Sequence, residues 1–394
     1  MKETKFKNTE IGRIPEEWET CTILSQSNKL VVAFVGTCEK YYTNKGEGVM
    51  MLRTGDLKER SIDYTNIKYI SYSFHNANKK SQLKKGDILI ARHGSNGHGV
   101  IYDKNDEANS LNFVIVHLID NEYLNSYLVC CLDTNIVREQ IEAATAGSTQ
   151  KVINTKAIGE LIVPKPNILE QQRIASALTS IDNLISSLGK LIEKKKNIKQ
   201  GTMQQLLTGQ IRLKGFSEPW GEKKLEEVCS VKRGVRVVKR NLTTDGLYPV
   251  YQNTNFPLGY SNQYNVEANT PFVIIGGSAG QVGICRERYW AADDCAFFAC
   301  HDIYKEYLYY VLLLNQRNIL HNVRTGTIPR LDRTFLSGML VYISSNIAEQ
   351  QAIATILTKM DDEITALEAK KAKYEAIKQG MMQQLLTGKI RLIS

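Results

Sequence analysis

The sequence predicts an α/β (α+β) chain of two globular domains separated by two long antiparallel helices, which form a coiled-coil spacer on a pseudo-twofold internal repeat. Three observations predict it. A 44-residue stretch occurs twice, each copy carries an apolar stripe at coiled-coil spacing, and an apolar run ending in a glycine-rich turn precedes each copy. The implied divisions are residues 1–166, 167–214, 215–345 and 346–394.

The repeat comes first because it organises the rest. Residues 170–213 and 349–392 align without a gap at an offset of 179, with 25 of 44 positions identical. A duplication explains this and chance does not. Each copy reads as one helix of roughly 40 residues, about 60 Å long. Asn167-x-x-Glu170 and Asn346-x-x-Glu349 have the form of a capping box, with Asn as the cap and Glu at the third helical position. Gly209 and Gly388 follow the last leucines, where a terminating glycine belongs.

Apolar residues alternate by four and three in both copies. The first has Ile174, Leu178, Ile181, Ile185, Leu188 and Ile192, and the second Ile353, Leu357, Met360, Ile364 and Leu367, with Lys371 weakening the seam beyond. Matching registers predict that the two helices pack on each other. Gly189 stands where the second copy has Glu368, and both copies share a glycine near the far end, Gly201 and Gly380, so a bend is expected there. The repeated frame extends outward: Gly147 aligns with Gly326, Gly159 with Gly338, and Pro15-Glu16-Glu17-Trp18 resembles Pro219-Trp220. The tryptophans are 202 apart, so the second interior is 23 residues shorter than the first.

Those interiors carry the globular domains. Asp87–Ala91 and Pro271–Ile275 read as strands, and they run into Gly94-Ser95-Asn96-Gly97-His98-Gly99 and Gly277-Ser278-Ala279-Gly280-Gln281-Val282-Gly283. Short helices are expected at 122–142 and 304–320.

Composition excludes several classes. With 43% hydrophobic and 23% charged residues the chain is of ordinary globular type, neither disordered nor collagen-like. No window approaches the ~18 apolar residues of a spanning helix, and Met1-Lys2-Glu3-Thr4-Lys5 opens on polar sequence, so a cytoplasmic protein is expected. Eight cysteines, with no C-x-x-C pair, read as scattered reduced thiols, and Cys295…Cys300-His301 is the nearest approach to a metal spacing. No metal site is expected. Neither glycine turn has Lys-Ser/Thr after it or the G-x-G-x-x-G spacing, which favours bland turns, or loops that bring backbone close to a ligand, over a phosphate cradle. Adjacent prolines, Pro-Asp and H-E-x-x-H are all missing, which removes the Asn-Pro-Pro-aromatic loop of amino-methyltransferases, a common nuclease pattern and a common zinc site. No catalytic residue is expected.

A binding surface remains. Val231–Arg240 carries Lys232, Arg233, Arg236, Lys239 and Arg240 without an acid, and Gln252 and Asn253 follow, side chains suited to base edges and phosphates. The first domain has Lys84, Lys85, Arg92 and His93 near its glycine turn, with Tyr64, Tyr69 and Tyr72 close in sequence. Ser95 and Asn96 of the first turn, and Ser278 and Gln281 of the second, are further candidates. Net charge is +9, of which +5 falls on residues 170–214, a DNA-facing or partner-facing surplus. Two diverged domains that each pair a basic patch with a glycine turn point to double-stranded DNA.

Glu170-Gln171-Gln172-x-Ile174-Ala175 and Glu349-Gln350-Gln351-x-Ile353-Ala354, with Gln-Gln-Leu-Leu-Thr-Gly at 204–209 and 383–388 and Ile-Arg-Leu after each, resemble the specificity subunit of type I restriction–modification systems. The resemblance covers nearly the whole chain. It implies two target-recognition domains, each reading one half of an asymmetric bipartite site, with the helices holding them apart. It also implies modification subunits docked on the helices, with Ile174, Leu178, Ile181, Ile185, Leu188, Ile353, Leu357, Met360, Ile364 and Leu367 in the spacer and docking region. Restriction subunits, S-adenosylmethionine, ATP and Mg would then belong to the partners, and this chain would carry no cofactor and no catalysis. The alternative from another class is a two-headed scaffold that grips proteins. Salt separates the two, since DNA binding weakens steeply with ionic strength.

Overall fold

The computed structural model describes residues 4–58, 60–93, 97–119, 122–145, 152–238 and 242–393. The chain divides into two compact units: Met1–Ser187 with Lys371–Ser394, and Leu188–Lys370. Each is therefore built from the start of one long helix and the end of the other.

In the first unit, four antiparallel strands lie in the order Gly99–Ile101, Ile88–Ala91, Phe113–Leu118, Ser27–Val32. The second unit repeats that order with Val282–Ile284, Pro271–Ile274, Cys295–Cys300 and Cys229–Arg233. A second sheet in each unit has one parallel pair, Val49–Arg53 with Ala108–Leu111 and Tyr248–Tyr251 with Trp290–Ala291. The first unit's version has five strands and the second's three, which accounts for part of the extra length of the first interior. The expected helix at 122–142 is two, Asn125–Leu132 and Asn135–Thr145, and that at 304–320 is also two, Lys305–Leu314 and Gln316–His321.

The long helices span Ile168–Leu207 and Ile347–Leu385. Gly189 and Gly201 lie inside the first without interrupting it. Antiparallel pairing is visible in each unit. Asp182 meets Lys378 at 2.5 Å in the first, and Lys195 meets Glu363 at 2.7 Å and Lys199 meets Asp361 at 2.5 Å in the second. Lys196 adds a bond to Glu368 at 2.6 Å. The positive surplus of the first helix is thus largely matched by acids of the second helix.

The predicted seam is buried, but its outer turns serve the globular cores. Ile174 and Leu178 join Met382, Leu385 and Leu386 in the core of the first unit. Ile353 and Leu357 join Leu206 and Leu207 in that of the second, with Met360 packed against it. Ile181, Ile185, Leu188 and Ile364 are buried, and Leu367 is half-buried.

Both helix starts use the Asn cap but not the reciprocal glutamate. Asn167 Oδ1 accepts from Glu170 N at 2.9 Å and Asn346 Oδ1 from Glu349 N at 3.1 Å. The glutamate side chains turn instead to a tertiary latch. Glu170 accepts from Trp18 Nε1 at 3.0 Å and from Arg391 Nε and Nη2 at 2.7 and 2.9 Å. Glu349 accepts from Trp220 Nε1 at 3.0 Å and from Arg212 Nε and Nη2 at 2.7 and 3.0 Å. Beside each latch a glutamine is buried: Gln171 Oε1 accepts from Leu124 N at 2.9 Å, and Gln350 Oε1 from Tyr304 N at 2.8 Å. The repeated Glu-Gln and Ile-Arg-Leu motifs are the two halves of one fastening. Gly388 is glycine for the same reason: its φ is +68°, and a Cβ there would lie 2.3 Å from the Pro15 ring.

Candidate nucleic-acid interface

In the second unit, antiparallel pairing brings the ends of Cys229–Arg233 and Pro271–Ile274 and the start of Cys295–Cys300 to one sheet edge. Loops leaving that edge are hydrogen-bonded into a single surface. Gly234 N donates to Cys295 O at 2.9 Å, Ser278 N to Asn253 O at 2.9 Å, Ile275 N to Asp294 O at 2.8 Å and Gly277 N to Pro329 O at 3.2 Å. The glycines of the turn are demanded by protein neighbours. Gly277 has φ +84° and a Cβ would lie 2.8 Å from Asn253 Cβ, while at Gly276 it would lie 2.4 Å from Asp294 Oδ1. These glycines therefore serve close packing of the turn against its neighbouring loops.

Of the predicted residues, Arg233, Arg236, Lys232 and Asn253 are exposed, and Gln252 and Ser278 are half-buried at the same surface. Gln281 works inward, its Oε1 accepting from Asn255 N at 3.4 Å. Lys239 and Arg240 lie outside the described residues. Arg233 is held by Asp293: its Nε donates to the Asp293 carbonyl at 2.7 Å, and its Nη2 stands 3.9 Å from Asp293 Oδ2.

Sequence reasoning missed the loop that follows Val323. Arg324 and Arg330 exchange both backbone hydrogen bonds, at 2.8 and 3.1 Å, and close the loop Thr325–Pro329 between them. Arg330 bridges to Gly276, and its Nη1 lies 3.4 Å from Asp294 Oδ1. Arg324 stands 3.7 Å from Asp332. A signal was present: the Gly147–Gly326 pair lies at the repeat offset, and so do Lys151 and Arg330.

The first unit builds the same edge with other side chains. Arg92 N donates to Asn112 O at 3.1 Å and Ile153 N to Arg92 O at 3.0 Å, repeating Ile275–Asp294 and Leu331–Ile275 in the second unit. Asn112 thus occupies the place of Asp294. Arg92 is half-buried, its Nε directed to Ile153 O at 3.3 Å, and His93 is exposed. Lys84 and Lys85, also exposed, sit before strand Ile88–Ala91 and Arg92–His93 after it, so ~13 Å of extended chain separates the two basic pairs. The two pairs therefore stand at opposite ends of that strand. Ser95 and Asn96 lie outside the described residues. Tyr64 is engaged inward, donating to Asp103 Oδ1 at 2.6 Å, and burial pushes its hydroxyl pKa up.

All eight cysteines are free. Among the described residues no group of three or more His, Cys, Asp or Glu is placed to hold a metal, and no helix is long and apolar enough to cross a membrane.

The model of the type I restriction modification DNA specificity domain matches this chain twice, over residues 15–200 and 217–379. The chain belongs to this family. It is the DNA specificity subunit of a type I restriction–modification system, a non-catalytic subunit. The type I restriction enzyme MjaVIII specificity subunit of Methanocaldococcus jannaschii is 25% identical over 99% of this subunit and 97% of that protein. The crystal structure of a type I S subunit from M. genitalium shares the fold, with a TM-score of 0.70 at 18% identity, covering 94% of this chain and 96% of that one. A chain from a structural study of type I complex assembly and conformational transition gives 0.52 at 12% identity, over 96% and 99%. The specificity subunit therefore has two α/β domains with the two long helices packed in each unit.

Proposed function

We propose that each unit reads one half of an asymmetric bipartite DNA sequence, that the long helices set the distance between the halves, and that modification subunits dock on the outer helix faces. One observation carries the reading. A single strand scaffold is built twice and presents different side chains at the same edge: Arg233, Asp294 and Arg330 in one unit, Arg92, His93 and Asn112 in the other. A shared scaffold fits a shared kind of target, and different side chains fit different bases. Exposed Leu191 and Ile198, seven residues apart on the first helix, and Ile377 at the matching place on the second, offer apolar surface to a docked partner. S-adenosylmethionine, ATP and Mg act on the partner subunits, and the complex works in the cytoplasm, where its DNA is.

The test is a map of methylated adenines in host DNA with and without this gene. Loss of methylation at one asymmetric bipartite motif supports the reading, and an unchanged map in a strain with active partner subunits refutes it. Lengthening both helices by four residues adds ~6 Å of rise and is expected to widen the half-site spacing by about one or two base pairs. A motif of unchanged spacing would remove the helices from that role.

A further inference from the structure

The aspartates of the Ala292–Asp294 turn stand beside two arginines of the second unit. Asp293 holds Arg233, which ends strand Cys229–Arg233, and Asp294 holds Arg330 from the Arg324–Arg330 loop. Both arginine side chains remain about half exposed, 48% and 58%, and each aspartate is the more covered partner, at 28% and 23%. From this geometry we propose that Arg330 reads guanine in the major groove, oriented by Asp294. The proposal rests on the DNA-reading function above and names the residue and the base.

Electrostatics separates base reading from backbone clamping. An arginine that merely neutralises phosphate needs its charge and no fixed orientation. A carboxylate beside it cancels that charge and repels the phosphates, so an arginine bonded to an aspartate is a poor clamp. What the aspartate contributes is orientation. It takes one edge of the planar fork and leaves the other to donate two parallel hydrogen bonds, the pattern that matches guanine O6 and N7. Arg330 meets this description. Only its Nη1 faces Asp294, and its backbone is pinned on both sides by the bridges to Gly276 and Arg324. Gly276 is what allows the fit, since a Cβ there would strike the Asp294 carboxylate. Arg324 differs: its side chain is 81% exposed and its nearest acid, Asp332, is 3.7 Å away. It serves as the phosphate-facing comparison. The first unit has Asn112 where Asp294 stands, so this device is particular to the second half-site.

The experiment uses the full chain assembled with its modification subunits, and reads the methylated motif by single-molecule sequencing of a random-sequence library. The wild-type complex reports whether the bipartite reading holds at all. Arg330→Ala and Arg330→Lys, the second keeping the charge but losing the fork, are each expected to make one guanine position of the second half-site degenerate, with discrimination there falling about 5- to 150-fold. Asp294→Asn should relax that same position to a smaller degree, and Arg324→Ala should lower methylation evenly with the motif intact. Assembly of every variant is checked by size-exclusion chromatography, so that if Arg330→Ala fails to assemble, Arg330→Lys and Asp294→Asn decide. An even loss of methylation with an unchanged motif in the Arg330 variants would make Arg330 a phosphate contact. An unchanged motif at unchanged level would remove it from the interface. Either result overturns the proposal and leaves the bipartite reading standing.

Discussion

Replacing Arg391 by alanine tests whether the repeated Ile-Arg-Leu ending is a structural fastening. The Arg391 guanidinium gives two hydrogen bonds to Glu170, at 2.7 and 2.9 Å, and one to Glu17 at 3.0 Å. Glu170 is 1% exposed, so truncation strands a buried carboxylate with Trp18 Nε1 as its main donor. Breaking one side of a buried pair costs about 3–5 kcal/mol, and the contact to the exposed Glu17 adds at most ~1 kcal/mol. For a unit of roughly 200 residues, each kcal/mol lowers the midpoint by about 2–4 °C, so the expected fall is about 6–24 °C.

The assay is thermal unfolding of the purified chain, followed by circular dichroism and by limited proteolysis at both units. Glu170 and Arg391 belong to the first unit, so its transition should fall while cleavage within 188–370 keeps the wild-type profile. Arg212→Ala, which breaks the equivalent latch on Glu349, should produce the opposite pattern. The double variant Glu170→Gln/Arg391→Ala should lose less than the two single changes added together, because no carboxylate is then left buried alone. A shift below about 2 °C for Arg391→Ala, or equal shifts in both units, would refute the latch.

Gly201→Ala and Gly380→Ala place a methyl where no atom lies within 4 Å, in helix interiors. Each should stabilise by about 0.5–1 kcal/mol, read as a rise in the thermal midpoint. Leu191→Glu with Ile198→Glu alters exposed positions only, so the chain should keep its melting profile but no longer co-elute with its modification subunits in size-exclusion chromatography. Burial pushes the Asp133 carboxyl up, but the His98 hydrogen bond at 2.5 Å and the ion pair with Arg60 outweigh it and hold the pKa below the ordinary carboxylate value. A carboxylate depressed in the folded state adds stability above its unfolded pKa of about 3.9 and loses it as pH falls through the lower folded value. The wild type should therefore lose stability relative to Asp133→Asn below about pH 4, and parallel urea titrations at pH 3 and pH 7 would check the sign.

What the sequence made legible was whatever repeats locally. A stripe alternating by four and three, a cap asparagine, a glycine after two leucines and an apolar run before a turn each depend on neighbours within a few positions. All of these stood where the pattern put them. The failures involve partners far away in the chain. Glu170 has the spacing of a capping box, and a local rule assigns its carboxylate to the backbone of Asn167. The fold gives it to Trp18 and Arg391, 152 and 221 residues away, because a buried guanidinium is a stronger partner than a solvated backbone N–H. The positive surplus of the first helix reads as a DNA-facing or partner-facing side, whereas Lys195, Lys196 and Lys199 pair with Glu363, Glu368 and Asp361 of the other helix.

The same limit explains the interface. A basic run such as 231–240 is visible because its charges are consecutive, whereas Arg330 and Asp294 are 36 residues apart and meet only because strand pairing brings two loops to one edge. Lys84 and Arg92 illustrate the reverse. They are close in sequence, yet a straight strand between them carries them to opposite ends of the sheet. For a DNA-reading surface the useful unit is therefore the sheet edge and not the sequence window. The duplication makes that edge easier to find: Asn112 and Asp294, 182 positions apart, take the same backbone bond with side chains of different charge, so a comparison of the two copies picks out where one scaffold carries different chemistry.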